Sequence, residues 1–181
     1  MTLTATLYNF AINLSDVDRN VYESLSFKVA QQPSETDEYL VARVLAYALE
    51  FTEGIAFSPG IAEPEFPAIG VRDLTGALKV WIDIGAPDAS RLHKASKAAP
   101  RVVVYTHKEP RLLIKLLAGE RIHRADALEL YAIDRDLIAG VVAKLDRRMK
   151  LDLSVTDRHV FLTIDGDTLS GAVERISLGA E

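Results

Sequence analysis

The sequence contains no cysteine, and this absence alone excludes several kinds of chemistry. Without thiols the chain has no disulfide bond, no thiolate zinc site and no cysteine nucleophile. No apolar run approaches the roughly 20 residues that a membrane-spanning helix needs. The first residues also lack the basic lead of a signal peptide. We therefore expect a cytoplasmic protein that does not insert into a membrane.

The chain has no net positive charge, and its aromatic residues are few. The net formal charge is −5 at pH 7, and aromatic residues make up 7% of the chain. General nucleic-acid and membrane binders are usually basic overall, so this net charge argues against such a protein. Single-strand platforms combine a basic groove with aromatic residues. No alternation of basic and aromatic residues is visible along the chain. A local basic face stays compatible with phosphate binding, because the field near a site depends mainly on the closest charges.

Several well-known catalytic motifs are missing too. The chain has no Gly-rich phosphate loop, no G-x-S-x-G and no dinucleotide fingerprint. Its four histidines stand at no metal-ligand spacing, at positions His93, His107, His123 and His159. Histidine-zinc chemistry is therefore not expected.

The apolar content that is present suffices for one domain of ordinary size. The chain has 181 residues, of which 49% are hydrophobic, and we expect a single domain over residues 1–181. Alternating apolar and polar residues predict strands at 3–13 and 21–31, and a β-meander over 148–178. Helices and strands follow one another between these segments. The predicted fold class is therefore mixed α/β, with antiparallel strands at both termini.

Helical periodicity and turn residues predict the elements in the middle of the chain. These are a helix at 33–51, a short strand near 55–57, a hairpin with its turn at 74–76 and its second strand at 77–85, a helix at 87–99, a strand at 101–107, a helix from Pro110, a strand at 127–133 and a helix from Asp134 to about 145.

The helix predicted at 33–51 has the clearest signal in the chain. Ser34 is a good N-cap, and the acidic residues that follow it suit the positive end of the helix dipole. Glu38 lies at the edge of the apolar stripe, a position from which its carboxylate can reach the sheet. Ordinary capping chemistry explains the same glutamate equally well.

The run 78-LKVWIDI-84 places a carboxylate inside an apolar strand. Successive strand side chains point to opposite faces, so Lys79, Trp81 and Asp83 share one face. Burying an unpaired carboxylate is costly, so Asp83 needs a cation, hydrogen-bond donors or water. Two interpretations are open. One is a solvent-facing row in which Lys79 balances Asp83, and the other is a metal site at Asp83.

A basic helix follows this strand closely. On a helical wheel its packing face consists of Leu92, Ala95, Ser96 and Ala99. The remaining positions carry Arg91, His93, Lys94 and Lys97. Arg91 lies in the first turns, where a cation opposes the helix dipole, which suggests that its guanidinium acts elsewhere, for example on phosphate. The alternative is a solvated basic face paired with nearby acids.

The order of these features resembles the PD-(D/E)XK nuclease-like architecture and, more closely, the YaeQ family of small bacterial proteins. The features that carry the resemblance are 33-PSET-36, Glu38, Arg43, Asp73-Leu74-Thr75-Gly76, 81-WIDIGAP-87, the basic helix at 91–97 and 103-VVYT-106. The similarity runs essentially from end to end. It implies a single mixed-sheet domain of PD-(D/E)XK nuclease-like architecture with antiparallel strands at both termini.

The wider superfamily implies a metal-dependent site that acts on nucleic acid. By position, Asp73 and Asp83 are its two hairpin acids, and Glu38 or Glu35 is its helical acid. Oxygen ligands of this kind suit Mg²⁺ or Mn²⁺, and water held by the metal attacks the phosphodiester. The implied substrate-binding residues are Glu35, Arg43, Arg91 and Lys97.

One departure from the superfamily pattern leaves the function open. The lysine expected two residues after the second acid is replaced by Gly85. Lys94 is the leading substitute, and Lys79 is a second one. The first candidate function is a magnesium-dependent phosphodiesterase that uses Asp73, Asp83, a helical glutamate and Lys94. The second is a non-catalytic binding or regulatory protein that keeps the nuclease-like scaffold.

Overall fold

The computed structural model describes residues 4–58 and 65–178. Its strands in these ranges are β1 Thr6–Asp16, β2 Val21–Gln31, β3 Ile55–Phe57, β4 Ile69–Arg72, β5 Leu78–Ile84, β6 Arg101–Thr106, β7 Glu129–Ile133, β8 Arg148–Thr156, β9 His159–Ile164 and β10 Asp167–Ile176. Its helices are α1 Asp37–Leu49, α2 Ala89–Ala98, α3 Pro110–Leu117 and α4 Arg135–Ala143, with a 3₁₀ turn at Ala125–Ala127. The mixed α/β class is confirmed.

By their contacts the residues group into two compact units. The first unit falls within Met1–Val41 and Ile133–Glu174, and the second within Ala42–Ala132 and Arg175–Glu181. Organisation as a single domain over 1–181 stays a prediction. No helix in the described ranges is long and apolar enough to span a bilayer.

The first unit contains the strands from both ends of the chain, in the order β2-β1-β8-β9-β10. β1 and β2 pair antiparallel along their whole length, and β8, β9 and β10 form the antiparallel meander. β1 pairs with β8 in parallel. One face of the strands is apolar and buried, and the helix α4 packs Leu137 and the region of Gly140 against β10. The predicted antiparallel strands at both termini are confirmed.

The second unit contains strands in the order β3-β4-β5-β6-β7. β4 and β5 form the predicted hairpin, whereas β5, β6 and β7 run parallel. Parallel neighbours need crossover connections, and α2 and α3 supply them. The apolar sides of both helices pack against the sheet in one buried cluster. The helices contribute Leu92, Ala95, Leu113 and Leu117, and the strands contribute Trp81, Val102, Val104 and Leu130.

The first helix begins later than the sequence predicts. It starts at Asp37, and the hydroxyl of Thr36 accepts the backbone N–H of Tyr39 at 3.0 Å. The backbone N–H of Glu35 bonds to the carbonyl of Gln32, so Ser34 lies inside a turn. The prediction of Ser34 as the N-cap is therefore wrong, because Thr36 fills that role.

Candidate functional site

Asp83 is held by a two-point ion pair with Arg91 at the carboxyl end of β5. Arg91 Nε lies 2.6 Å from Asp83 Oδ2, and Arg91 Nη2 lies 3.0 Å from Oδ1. The Asp83 residue is only 2% exposed. A bidentate pair of this geometry is the strong form of an arginine–carboxylate contact. Arg91 thus supplies the cation that a buried Asp83 requires.

The surroundings of this pair follow from the local sequence. Strand alternation puts Trp81 on the same face as Asp83, and the guanidinium carbon of Arg91 lies 5.4 Å from the Trp81 ring centroid. Gly85 ends the strand with a φ of +92°. Asp88 then caps α2 by accepting the backbone N–H of Arg91 at 2.9 Å. The cation in the first turn of α2 is therefore explained by its bond to the neighbouring strand.

The interpretation of a solvent-facing row is wrong. Trp81 and Asp83 are buried, because α2 covers this face of the strand. Only Lys79, near the start of β5, is exposed, and its Nζ lies 3.6 Å from Asp73 Oδ2 rather than beside Asp83. Arg91 also donates to the carbonyl of Phe66 at 2.9 Å. The guanidinium of Arg91 is already bonded to both carboxylate oxygens of Asp83. The phosphate-binding role of Arg91 therefore stays a prediction.

Asp73 closes the turn of the hairpin. Its Oδ1 accepts the hydroxyl of Thr75 at 2.6 Å and the backbone N–H groups of Thr75 and Ala77 at 2.9 and 3.0 Å. These hydrogen bonds, led by the Thr75 hydroxyl, lower the pKa of the Asp73 carboxyl. Gly76 has a φ of +90°, which the tight turn needs. Asp73 is therefore a turn residue at the exposed tip of the hairpin.

The two hairpin acids lie far apart along the strands. Asp73 lies opposite Ala77, and Asp83 is six residues further along β5, roughly 20 Å at the rise of an extended strand. Glu38 is exposed in the first turn of α1. Among residues 4–58 and 65–178, no three histidine, aspartate or glutamate side chains lie close enough to hold a metal ion. The described side chains do not fit a magnesium or manganese site, and the ligand roles of Asp73, Asp83 and Glu38 stay predictions without structural support.

The candidate residues around α1 have different surroundings. Glu35 is half-buried and precedes the helix. Arg43 is 6% exposed, and its guanidinium carbon lies 5.6 Å from the centroid of Phe57. The Phe57 ring stacks on Tyr47 at 4.5 Å. The Arg43 side chain therefore packs within an aromatic group of the second unit, and the substrate-binding roles of Glu35 and Arg43 stay predictions.

The predicted packing face of α2 is confirmed. Leu92, Ala95 and Ser96 are buried, whereas Lys94 and Lys97 are exposed. In the described part of the chain, Asp83 pairs with Arg91 and has no ion pair with Lys94. The catalytic role of Lys94 and the substrate-binding role of Lys97 stay predictions.

The basic character of α2 continues over α3 and the segment that follows it. Residues 88–126 contain nine lysines and arginines against four acids, a net charge of +5. The rest of the chain contains twelve against twenty-two, a net charge of −10. The exposed cations of this segment are Lys94, Lys97, Lys108, Arg111, Lys115, Arg121 and Arg124. We call these seven side chains the basic helical face.

Side-chain bonds hold the parts of the basic helical face together. His93 Nδ1 accepts the backbone N–H of His123 at 2.9 Å. The guanidinium of Arg124 donates to the carbonyls of Ser96 and Ala99, which lie at the C-terminal end of α2. A cation at this position also suits the negative end of the helix dipole. The segment at 121–124 is therefore fixed against α2.

The opposite face of the same sheet carries a polar network that the sequence does not reveal. Arg101 binds Glu129 at 2.7 and 2.9 Å, and its Nη1 binds Glu50 at 2.8 Å. The hydroxyl of Tyr105 donates to Glu50, and that of Tyr131 donates to Glu129 at 3.2 Å. We call these five residues the Arg101 network.

The charges of the Arg101 network shift the pKa of its members. The hydrogen bond from Arg101 lowers the pKa of Glu129. Burial, followed by the charge of Glu50, raises the pKa of Tyr105 well above its usual value. Strand alternation alone places Arg101 and Tyr105 on one face. Glu50 follows α1, more than 50 positions away in sequence, and strand periodicity gives no sign of it.

Comparison with known proteins matches the chain over almost its full length. A family profile described as YaeQ protein matches residues 1–173. Similar sequences named "Uncharacterized protein YaeQ" occur in Escherichia coli (strain K12), 29% identical over 93% of this chain and 94% of that protein, and in Salmonella typhi, 27% identical over 90% and 91%.

Two crystal structures share the fold. The YaeQ protein from Pseudomonas syringae superposes with a TM-score of 0.86 and 28% identity, covering 96% of both chains. The YaeQ protein from Xanthomonas axonopodis pv. citri superposes with a TM-score of 0.83 and 30% identity, covering 95% of this chain and 98% of that one. This chain belongs to the YaeQ family.

Proposed function

We propose that this chain is a non-catalytic nucleic-acid-binding protein on a nuclease-like scaffold. The observation that carries the proposal is the excess of exposed positive charge over residues 88–126, where seven exposed lysines and arginines stand against four exposed acids, in a chain of net charge −5. The basic helical face presents its cations on α2, on α3 and on the segments directly before and after α3, away from the buried sides of the two helices.

Phosphate recognition explains this distribution of charge. Lysine and arginine side chains that neutralise phosphates release counterions, which drives binding irrespective of base sequence. The remainder of the chain is net acidic, so the local field that attracts a polyanion is strongest near this segment. Lys94 and Lys97 are exposed, whereas Ala95 and Ser96 between them are buried, so both ammonium groups are accessible to a phosphate backbone.

The phosphodiesterase alternative has less support. It requires Asp83 to give up a bidentate bond with Arg91 and requires Asp73 to act from the tip of the hairpin. A PD-(D/E)XK ancestry, which the order of elements suggests, accounts for a scaffold suited to nucleic acid without requiring cleavage. The binding protein is therefore the function that the geometry favours.

The test compares lysines on and off the basic helical face. The variant Lys94→Gln/Lys97→Gln/Lys115→Gln removes three exposed charges, and Lys79→Gln removes one exposed charge at the hairpin. Binding to labelled single- and double-stranded oligonucleotides is measured by anisotropy over a range of salt concentrations. We expect the triple variant to weaken both and to lower the salt slope by about 0.7 to 0.9 per lost contact, with Lys79→Gln near wild type.

Two outcomes would contradict the proposal. One is a triple variant that binds as wild type does, and the other is equal loss in Lys79→Gln. Incubation of the oligonucleotides with Mg²⁺ or Mn²⁺ tests the alternative separately, since cleavage that is lost in an Asp83→Asn variant, with thermal melting showing that variant to be folded, would identify a nuclease.

A further inference from the structure

The outer face of the sheet in the first unit brings together residues that are scattered in sequence. Strand pairing places Asn9 of β1 between Lys28 of β2 and Arg148 of β8. The next outward row contains Ser26, Ala11 and Lys150. These six residues line an open cavity of about 470 Å³. Small side chains form its floor, and cations stand on both sides.

Two rows further along the same face, the row has an aromatic side chain at each end. Tyr22 of β2 is 57% exposed and Phe161 of β9 is 41% exposed. Ser15 and Ser154 lie between them in the same row. Three strand spacings separate the two rings, about 14 Å. His159, next outward on β9, lies 5.2 Å from the Phe161 ring.

Polar groups connect the basic and aromatic ends. Asn13 donates to Asp152 at 2.9 Å and accepts the hydroxyl of Ser24 at 3.3 Å. Asp152 is the acid of this outward face between the two ends, and its bond to Asn13 orients it within the sheet. The row of Ser24, Asn13 and Asp152 therefore holds hydrogen-bond donors and acceptors at fixed positions. We call the whole surface, from Lys28 to Phe161, the sheet-face platform.

From this arrangement we infer that the sheet-face platform binds single-stranded nucleic acid. The cations at Lys28, Arg148 and Lys150 match a phosphate backbone, and the rings of Tyr22 and Phe161 match unpaired bases. Base stacking on exposed rings requires bases outside a duplex, so the surface selects single strands. An acidic peptide would match the cations alone and leaves the two exposed rings without a role.

The inference does not rest on the basic helical face, because its residues belong to the other unit. The two surfaces also differ in what they read. The cations of the helical face contact phosphates of any nucleic acid, whereas the rings of the sheet face require accessible bases. Variants of each surface therefore give distinguishable results.

The experiment measures the affinity of the full chain for short oligothymidylate and oligouridylate, and for a duplex of equal length. We expect Tyr22→Ala and Phe161→Ala each to weaken single-strand binding about tenfold and to leave duplex binding unchanged. Lys150→Gln is expected to lower the salt slope for single strands by about 0.7.

Leu74→Ala is the matched control, since Leu74 is 96% exposed at the hairpin tip, outside the sheet face. The inference is overturned if Leu74→Ala loses as much affinity as the ring variants, or if the ring variants bind single strands as wild type does. Competition by polyglutamate that equals competition by oligothymidylate would also overturn it, in favour of an acidic protein. Thermal melting of each variant tests whether the fold is retained. Suppose that Tyr22→Ala and Phe161→Ala lose affinity for single strands while the triple variant Lys94→Gln/Lys97→Gln/Lys115→Gln binds as wild type does. That result would support this inference and contradict the proposed function.

Discussion

The two faces of the sheet in the second unit both carry charged side chains, but these side chains are neutralised differently. On the face covered by α2 and α3, one carboxylate, Asp83, has one cation, Arg91, within an apolar cluster. On the other face Arg101 is shared between Glu50 and Glu129, and two tyrosine hydroxyls complete the network. A single pair has no substitute when one member is lost. A network redistributes its hydrogen bonds, so its members are expected to be individually less critical.

The largest effect is expected for Asp83→Ala. The substitution leaves the guanidinium of Arg91 partly buried without its carboxylate, and loss of one partner of a buried pair costs about 3 kcal/mol. Urea unfolding of the variant and wild type measures this difference. In the double variant Asp83→Ala/Arg91→Ala the destabilisation should be smaller than the sum of the single values. Strict additivity would show that the pair contributes no coupling.

A smaller effect is expected for Tyr105→Phe on the network side. The substitution removes a hydrogen bond to the carboxylate of Glu50, a loss of about 2 kcal/mol for a bond to a charged group. The experiment sharpens the comparison, because a loss that exceeds that of Asp83→Ala would show that the network is the more critical of the two.

The same variant should change the alkaline stability of the protein. The pKa of Tyr105 is raised in the folded state above 10.0, so the unfolded state releases its proton first as the pH rises. The corresponding stabilisation is complete below pH 10 and is lost as the pH rises through the folded pKa. Urea midpoints should therefore fall less steeply above pH 10 in Tyr105→Phe than in wild type. Parallel curves would contradict the assigned environment of the hydroxyl.

The smallest effect is expected for Asp73→Ala, an exposed carboxylate outside both faces. The variant loses turn hydrogen bonds to Thr75 and Ala77, so its stability should fall, but less than that of Asp83→Ala. Because the folded pKa of Asp73 is lowered, its contribution is present above about pH 4 and is lost as the pH falls through the folded value. Chemical unfolding at neutral and acidic pH measures both properties. A loss as large as that of Asp83→Ala would mean that Asp73 has a role beyond the turn.

Local patterns predicted most of the fold. The period-two alternation of β1, β2 and β8 located these strands, and the wheel of α2 identified its buried side. The cap at Thr36 was missed because Ser34 satisfies the same sequence rule, and only the turn before the helix distinguishes them. Elements whose signal lies within a few neighbouring residues are readable from sequence in this way.

The candidate surfaces were less predictable for a physical reason. The sequence indicated that Asp83 required a partner and that Arg91 was unusual, but not that each satisfies the other. The sheet-face platform depends on the pairing register that sets Lys28 beside Asn9 and Arg148. The sequence of any one β-strand does not contain this information. Contacts across strands depend on pairing, and pairing is set by the whole fold.

The bond between Asp83 and Arg91 has a consequence for the helix that follows it. It fastens the first turn of α2 to the end of β5, while Arg124 holds the last turn. Lys94 and Lys97 therefore lie on a helix that is fixed at both ends. Under the proposed function, a helix fixed in this way would lose little backbone freedom when it binds nucleic acid, so more of the electrostatic attraction would remain as affinity.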